Sequence, residues 1–255
     1  MFFANSNICY SFAGNYKIPM KRLLNYINSD NAGSILDIGT GGGEFVKILA
    51  SLFPDAKITG IDPDSESIKS ASGEYGSGRV QFFVMSAETI DFPSASFNVV
   101  TISNALHHLP DRESVVNEMK RVVSPEGYLV ISELYSDNLN PAQEVQKLYH
   151  HTRSRVDRML GLYHHETWQR DEIIKMVSGF GLRITGSFDS EKKVNLIGNE
   201  QELENWVEKM KQNIERIKHL PEYETFLPLV DEFRAKAQMY GFQPATNVVL
   251  ICQKQ

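Results

Sequence analysis

Five residues in the N-terminal part of the chain have types and spacing suited to holding a nucleoside: Asp37, Gly39, Gly41, Gly43 and Asp62. The first four lie in the stretch Ile35-Leu36-Asp37-Ile38-Gly39-Thr40-Gly41-Gly42-Gly43-Glu44-Phe45-Val46. Glycines at this spacing let the backbone turn sharply at positive φ, and they let a flat ligand lie against bare main chain. The dinucleotide fingerprint is G-x-G-x-x-G. Gly39 and Gly41 fit its first two positions, but the third falls on Glu44. A pyrophosphate sits on the positive N-terminus of a helix. Glu44 in that first turn adds like charge and removes the glycine that lets helix and strand pack closely. The turn therefore suits a ligand without phosphates, and a dehydrogenase using NAD is disfavoured. Asp62 ends the run Ile58-Thr59-Gly60-Ile61-Asp62, about twenty residues on, where an acid can accept both hydroxyls of a ribose.

A ribose without phosphate points to S-adenosylmethionine (SAM). At these residues the chain resembles a class I SAM-dependent methyltransferase of the small-molecule, methyltransferase type 11-like kind. The resemblance is carried by Asp37-x-Gly39-x-Gly41-x-Gly43, by Asp62, and by Ser96-Phe97-Asn98-Val99-Val100 leading to Asn104-Ala105-Leu106-His107-His108; it covers roughly residues 30 to 135. It implies that Asp37 and the turn at Gly39, Thr40, Gly41 and Gly43 surround the methionine part of SAM. Asp62 and Pro63 are then at the ribose, Ser86, Ala87 and Glu88 flank the adenine, and Asn104 lies on the sulfonium side. The family usually has Asp-Ala where this chain has Ser86-Ala87. A hydroxyl can still accept from the adenine amino group, but without charge assistance.

Methyl transfer from a sulfonium needs orientation and exclusion of water more than covalent help, and orientation alone is worth roughly 7–11 kcal/mol. A general base is needed only if the acceptor must lose a proton. The candidates are histidines: His108 after Asn104, and His151 and His164 in a segment that also holds His150 and His165. On a helix, His150, Arg153 and Asp157 fall on one flank at i, i+3 and i+7, and a turn after Gly161 can bring His164 or His165 back to it. One reading makes this segment the roof of an acceptor pocket, with a His–Asp metal site as its sharper form. The other makes it a solvated helix with an Arg153–Asp157 pair. No residue is assigned as a metal ligand at this level.

These residues need a scaffold. Short apolar runs, over 34–38, 57–61, 80–84, 97–102 and 128–134, alternate with helical patterns, which implies right-handed crossovers and a parallel sheet. The helix after the glycine turn shows Phe45, Ile48, Leu49 and Leu52 at helical spacing. Expected helices also cover residues 17–28, Ser65 to about Tyr75 with Ser65 as cap, and a stretch capped by Asp111. After Glu133 the pattern changes to amphipathic helices at 142–160, 171–180, 200–218 and 225–240, with strands at 182–188 and 246–252. The expected architecture is α/β: a doubly wound, seven-stranded, mostly parallel sheet of Rossmann-like methyltransferase type with a helical lid and insertion. The family layout places the last strand antiparallel beside 182–188. The organisation reads as an N-terminal lid and helix at 1–33, a SAM-binding core at 34–135, a helical lid at 136–169, and the rest of the sheet at 170–255 with an insertion at 198–243.

Composition bounds the function. The chain has 255 residues and a net charge of −6, which gives no basic footprint for nucleic acid. Two cysteines, Cys9 and Cys252, make no disulfide framework. The N-terminus lacks the layout of a signal peptide, and no apolar run is long enough to span a membrane. The expectation is a cytoplasmic methyltransferase that moves a methyl group from SAM to a small-molecule acceptor by in-line displacement. A tRNA or protein acceptor, or SAM binding without transfer, are the rival readings, and a homodimer is left open.

Overall fold

Strands that are apolar at nearly every position end up in the middle of a sheet covered on both faces. In the computed structural model, which describes residues 19–255, seven strands form one such sheet. They are β1 (Ser34–Ile38), β2 (Lys57–Asp62), β3 (Val80–Val84), β4 (Phe97–Ser103), β5 (Val123–Leu134), β6 (Leu182–Ser190) and β7 (Asn247–Lys254). Their order is β3-β2-β1-β4-β5-β7-β6. The first five pair in parallel. β7 runs antiparallel between β5 and β6, as the family layout implies. The expected α/β class, sheet and strand number all hold.

Side-chain direction alternates along each strand, and the core divides accordingly. Leu36, Ile38, Val100, Ile102, Leu129 and Ile131 face one apolar cluster, and Ile35, Val99, Val130 and Val249 face the other. Helices α1 (Glu44–Leu52), α2 (Ser65–Tyr75), α3 (Arg112–Val122) and α5 (Arg170–Gly179) accompany these strands. Phe45, Ile48, Leu49 and Leu52 of α1 close one face, while Val115, Met119 and Val122 of α3 and Ile173 and Val177 of α5 close the other. The remaining helices, α4 (Pro141–Met159), α6 (Glu200–Glu215) and α7 (Tyr223–Tyr240), share a third core of their own. Val145, Tyr149 and Val156 of α4 meet Trp206, Met210 and Ile214 of α6 and Phe226 and Phe233 of α7. The segments expected as separate lid and insertion therefore pack together as one helical layer.

Three local expectations change. The helix expected over 17–28 is largely 3-10 turn at Lys21–Asn25, with Leu24 exposed. Asp64, not Ser65, caps α2: its carboxylate accepts from Ser67 N–H at 3.2 Å. β5 starts five residues early, at Val123, and takes in Pro125-Glu126-Gly127. Gly127 is needed there for proximity, since a Cβ would lie 2.6 Å from the Asn98 carbonyl oxygen of β4. The first eighteen residues of the N-terminal lid and helix expected at 1–33 lie outside the described residues.

Candidate functional site

In an open α/β sheet, ligands bind outside the carboxyl ends of the strands, where the strand order reverses. Here that point lies between β1 and β4. The chain leaves β1 through Gly39, Gly41 and Gly43, with φ of +66°, +50° and +87°. A Cβ at Gly39 would lie 2.8 Å from the Ala105 Cβ, so the turn and the loop after β4 approach as closely as bare backbone allows. The Thr40 N–H donates to the Ile61 carbonyl at 3.0 Å and ties the turn to β2. The Asp62 carboxylate lies across the turn: Oδ2 accepts from Gly41 N–H and Oδ1 from Asp64 N–H, each at 2.9 Å. Burial pushes its carboxyl up, and those two amides pull it back. Each oxygen keeps lone-pair capacity for a diol.

The other residues expected to meet the nucleoside have the following surroundings. Asp37 is fully buried, accepts from the Thr101 hydroxyl at 2.6 Å, and is pushed by burial up to about 7. Thr40 is buried and Pro63 is exposed beside Asp62. Ser86 donates to the Glu88 carboxylate; both side chains are exposed, while Ala87 is buried. The Ser86 hydroxyl thus already has an anionic partner in the place where the family usually has an acid. Glu44, in the first turn of α1, accepts from the Tyr75 hydroxyl at 2.8 Å, and burial pushes its carboxyl up.

Asn104 turns the corner from this edge to a second feature. Its φ is +51°, which costs a non-glycine residue on the order of 1 kcal/mol. The geometry is held by Asn104 N–H on the Ser132 carbonyl at 2.8 Å and by Asn247 Nδ2 on Asn104 Oδ1 at 2.6 Å. Beyond it, a cavity of about 150 Å³ lies between the sheet edge and the helical layer. Asn104, His107, His108 and Asn247 line it from the sheet side. Gln146, Tyr149, His150 and Arg153 of α4, with Trp206, Phe242 and Lys192, line the rest. Among the described residues, Gln146 Oε1, Tyr149 Oη and His150 Nδ1 are buried without a hydrogen-bond partner. Burial pushes the Tyr149 hydroxyl up to about 12, which keeps its proton on as a donor at neutral pH.

At the cavity wall the histidines converge. His107 Nδ1 lies 2.9 Å from Glu133 Oε1, and Glu133 also accepts from the N–H groups of Leu106 and Leu134. His164 Nδ1 lies 2.6 Å from Asp157 Oδ2, and its Nε2 lies 3.4 Å from His150 Nε2. The His108 ring packs 4.1 Å from that of His164. Burial pushes His108 and His150 well below the ordinary imidazole range and His164 down to about 4, although Asp157 pulls His164 the other way. Burial alone would raise the Asp157 carboxyl, but His164, Arg153 and Arg216 hold it below its usual range.

Of the three catalytic candidates, His108 reaches the cavity and His164 reaches the cluster at its wall. His151 does neither. It points from the other side of α4 to Thr167 Oγ1 at 2.8 Å and to Glu166. Two features were missed. Glu133 anchors His107, and its signal was an acid within an otherwise apolar strand. The aromatic wall of Trp206 and Phe242 comes from the insertion, whose periodicity showed a helix without showing where it docks.

Comparison with known proteins matches residues 36–131 to the methyltransferase domain family. A demethylmenaquinone methyltransferase of Thermotoga maritima is 32% identical over 118 residues, 46% of this chain and 51% of that protein. The chain spans about half the length of the curated relatives it matches. Among solved structures, a Bacillus halodurans protein with a provisional methyltransferase name superposes with a TM-score of 0.61 at 21% identity, over 92% of this chain and 97% of that one. A Haemonchus contortus phosphoethanolamine N-methyltransferase, in complex with phosphomonomethylethanolamine and S-adenosylhomocysteine, superposes with a TM-score of 0.56 at 17% identity, over 95% and 54%. At these identities the superpositions speak for the fold.

Proposed function

We propose, for a chain whose residues 36–131 belong to the class I SAM-dependent methyltransferases, that the protein transfers a methyl group from SAM to a small-molecule acceptor by in-line displacement. The observation that carries the reading is the Asp62 carboxylate fixed across the glycine turn by Gly41 N–H, at the same sheet edge as a separate cavity. The residues present fit SAM: Gly39, Gly41 and Gly43 hold the turn at positive φ and present bare main chain to a ligand, and Asp62 is a double acceptor for a diol. Asp37 and the amides of the turn would face the methionine part, and Ala87 the adenine. When bound, SAM supplies a methyl group already activated on a sulfonium.

The rest of the work falls to the chain. Tyr149, Trp206 and Phe242 supply the aromatic part of the cavity wall, and Asn104, held by Asn247, marks its boundary with the nucleoside site. The unpartnered atoms of Gln146 and Tyr149 call for an acceptor with its own hydrogen-bonding groups, since buried polar atoms normally find partners. A cavity of about 150 Å³ is the size that accommodates a benzene-like body. That size and the aromatic wall favour a small acceptor over an RNA or protein. His108, kept neutral by burial, can take a proton at a ring nitrogen if the acceptor must lose one. No helix among the described residues is long and apolar enough to cross a membrane, and a cytoplasmic location belongs to the same reading.

Isothermal titration with SAM and S-adenosylhomocysteine, beside a methyl-release assay on a panel of phenols, amines, carboxylates, demethylmenaquinone and bulk tRNA, tests this. Binding of both ligands, with turnover on a small member of the panel, is expected. Absence of SAM binding, or binding of NADH in its place, overturns the reading. SAM binding without turnover on any member would favour a binding protein.

A further inference from the structure

We propose that His107, His150 and His164 form a site for one divalent transition-metal ion, of the zinc class, with an open coordination position towards the cavity. This goes beyond methyl transfer and does not rest on it. It also departs from the expectation at sequence level, where no metal ligand was assigned. Each of the three buried imidazoles offers a nitrogen, and these nitrogens lie within 4.8 Å of one another.

Geometry supports a shared centre. Zinc binds imidazole nitrogen at roughly 2.0–2.1 Å in tetrahedral sites, which places two ligand nitrogens about 3.3 Å apart and two ring centres about 5.2 Å apart. His164 Nε2 and His150 Nε2 are 3.4 Å apart. The three ring-centre separations are 5.1 Å for His107–His150, 5.3 Å for His107–His164 and 5.0 Å for His150–His164. Three rings at nearly equal spacing surround one point, as the ligands of one ion do.

The outer partners fit as well. Metal-bound histidines usually give their second nitrogen to a carboxylate or a carbonyl, which fixes the tautomer and orients the ring. His107 gives Nδ1 to Glu133 at 2.9 Å, and His164 gives Nδ1 to Asp157 at 2.6 Å. Both Nε2 lone pairs are thereby left for the centre. His150 would ligate through Nε2, the nitrogen that faces His164 Nε2 at 3.4 Å, and its Nδ1 finds no partner among the described residues. His107 and His150 both line the cavity, so a fourth position opens on it. Three histidines with an open fourth position are the arrangement of catalytic rather than structural zinc. Imidazole ligands also suit cobalt, nickel and copper.

The test is titration of the chelator-treated full chain with cobalt(II), followed by its visible absorption, with zinc(II) in competition and total metal measured after dialysis. One cobalt per chain with intense tetrahedral or five-coordinate bands, displaced by one zinc, is expected. His150→Gln and His164→Gln should abolish the bands, and Asp157→Asn should weaken binding by about 10–100-fold. His151→Gln, altered outside the cluster, should leave them intact. Circular dichroism verifies that each variant is folded. X-ray absorption of the zinc-loaded wild type keeps the proposal exposed even if a variant does not fold, because it counts ligands directly. No stoichiometric cobalt uptake, bands that survive His150→Gln, or a zinc shell with sulfur or fewer than three imidazoles overturns it. In that case the histidines are a hydrogen-bonded wall of the cavity.

Discussion

Asp62 shows how one side chain serves fold and ligand at once. Its two oxygens accept from Gly41 and Asp64 N–H, so the group that would grip a sugar also sets the turn that the sugar rests on. Asp62→Asn replaces one acceptor with a donor and removes the charge. Hydrogen bonds to charged groups are worth about 1.5–3 kcal/mol; calorimetry should therefore show S-adenosylhomocysteine affinity falling by about 10–100-fold. Glu133 is the counterpart on the cavity side. It is fully buried and accepts from Leu106 N–H, Leu134 N–H and His107. Glu133→Ala strands three donors, each at about 1–3 kcal/mol, and urea denaturation should show a loss of about 3–5 kcal/mol. Asp62 was legible from its place after a strand, because the role depends on local order. Glu133 was not, because its meaning depends on a histidine 26 residues away that only the crossover through α3 brings back.

At the level of elements, what was legible is what depends on periodicity. Short apolar runs at β1, β4, β5 and β7, and helical spacing in α1, α4, α6 and α7, locate those elements to within a few residues. The failures occur where tertiary contacts decide. β5 begins early because Gly127 fits against β4, and Lys21–Asn25 tightens to a 3-10 turn while Leu23 stays buried and Leu24 is left out. The docking of α4 on α6 and α7 was also hidden, since an apolar stripe names no partner. α4 is well started: Asn140 and Gln143 form a reciprocal capping box ahead of Pro141. Its position, however, comes from the shared core, where Tyr149 packs against Trp206 and Phe233 at ring-centre distances of 5.2 and 5.8 Å. Phe233 is completely buried in that core and lines no part of the cavity. Phe233→Ala should destabilise the protein by about 3–5 kcal/mol. Hydrogen exchange should rise first in α4, α6 and α7, with β1 and β4 protected. Equal loss of protection across sheet and helices would show that the two layers unfold as one unit.

Across the whole molecule, one sheet edge serves two neighbours: the turn after β1 with Asp62 of β2, and the cavity between β4, β5, β7 and the helical layer. Asn104 stands where they meet. That division lets a global measurement isolate a single buried charge. Asp37 is the fully buried acid of the nucleoside side, and it lies away from the histidine cluster. Burial pushes its folded pKa from 3.8 to about 7; the hydroxyls of Thr101 and Thr40 offset part of this, and the neighbouring Asp62 charge adds to it. Between those limits the native state holds a proton that the unfolded chain has released. Stability from this group is therefore full below about pH 4 and declines as pH rises towards 7, at up to about 1.4 kcal/mol per pH unit. Other groups titrate in the same range, so the clean quantity is the difference between Asp37→Asn and wild type across pH. Measured by urea denaturation, that difference should shift in favour of the variant from about pH 4 to 7 and level off above. A cationic ligand group near Asp37 favours its ionised form, so S-adenosylhomocysteine affinity should rise over the same interval in the wild type and stay flat in Asp37→Asn. A stability difference that does not vary with pH would mean that Asp37 titrates normally. A parallel rise of affinity in both proteins would mean that the methionine part of the ligand lies elsewhere.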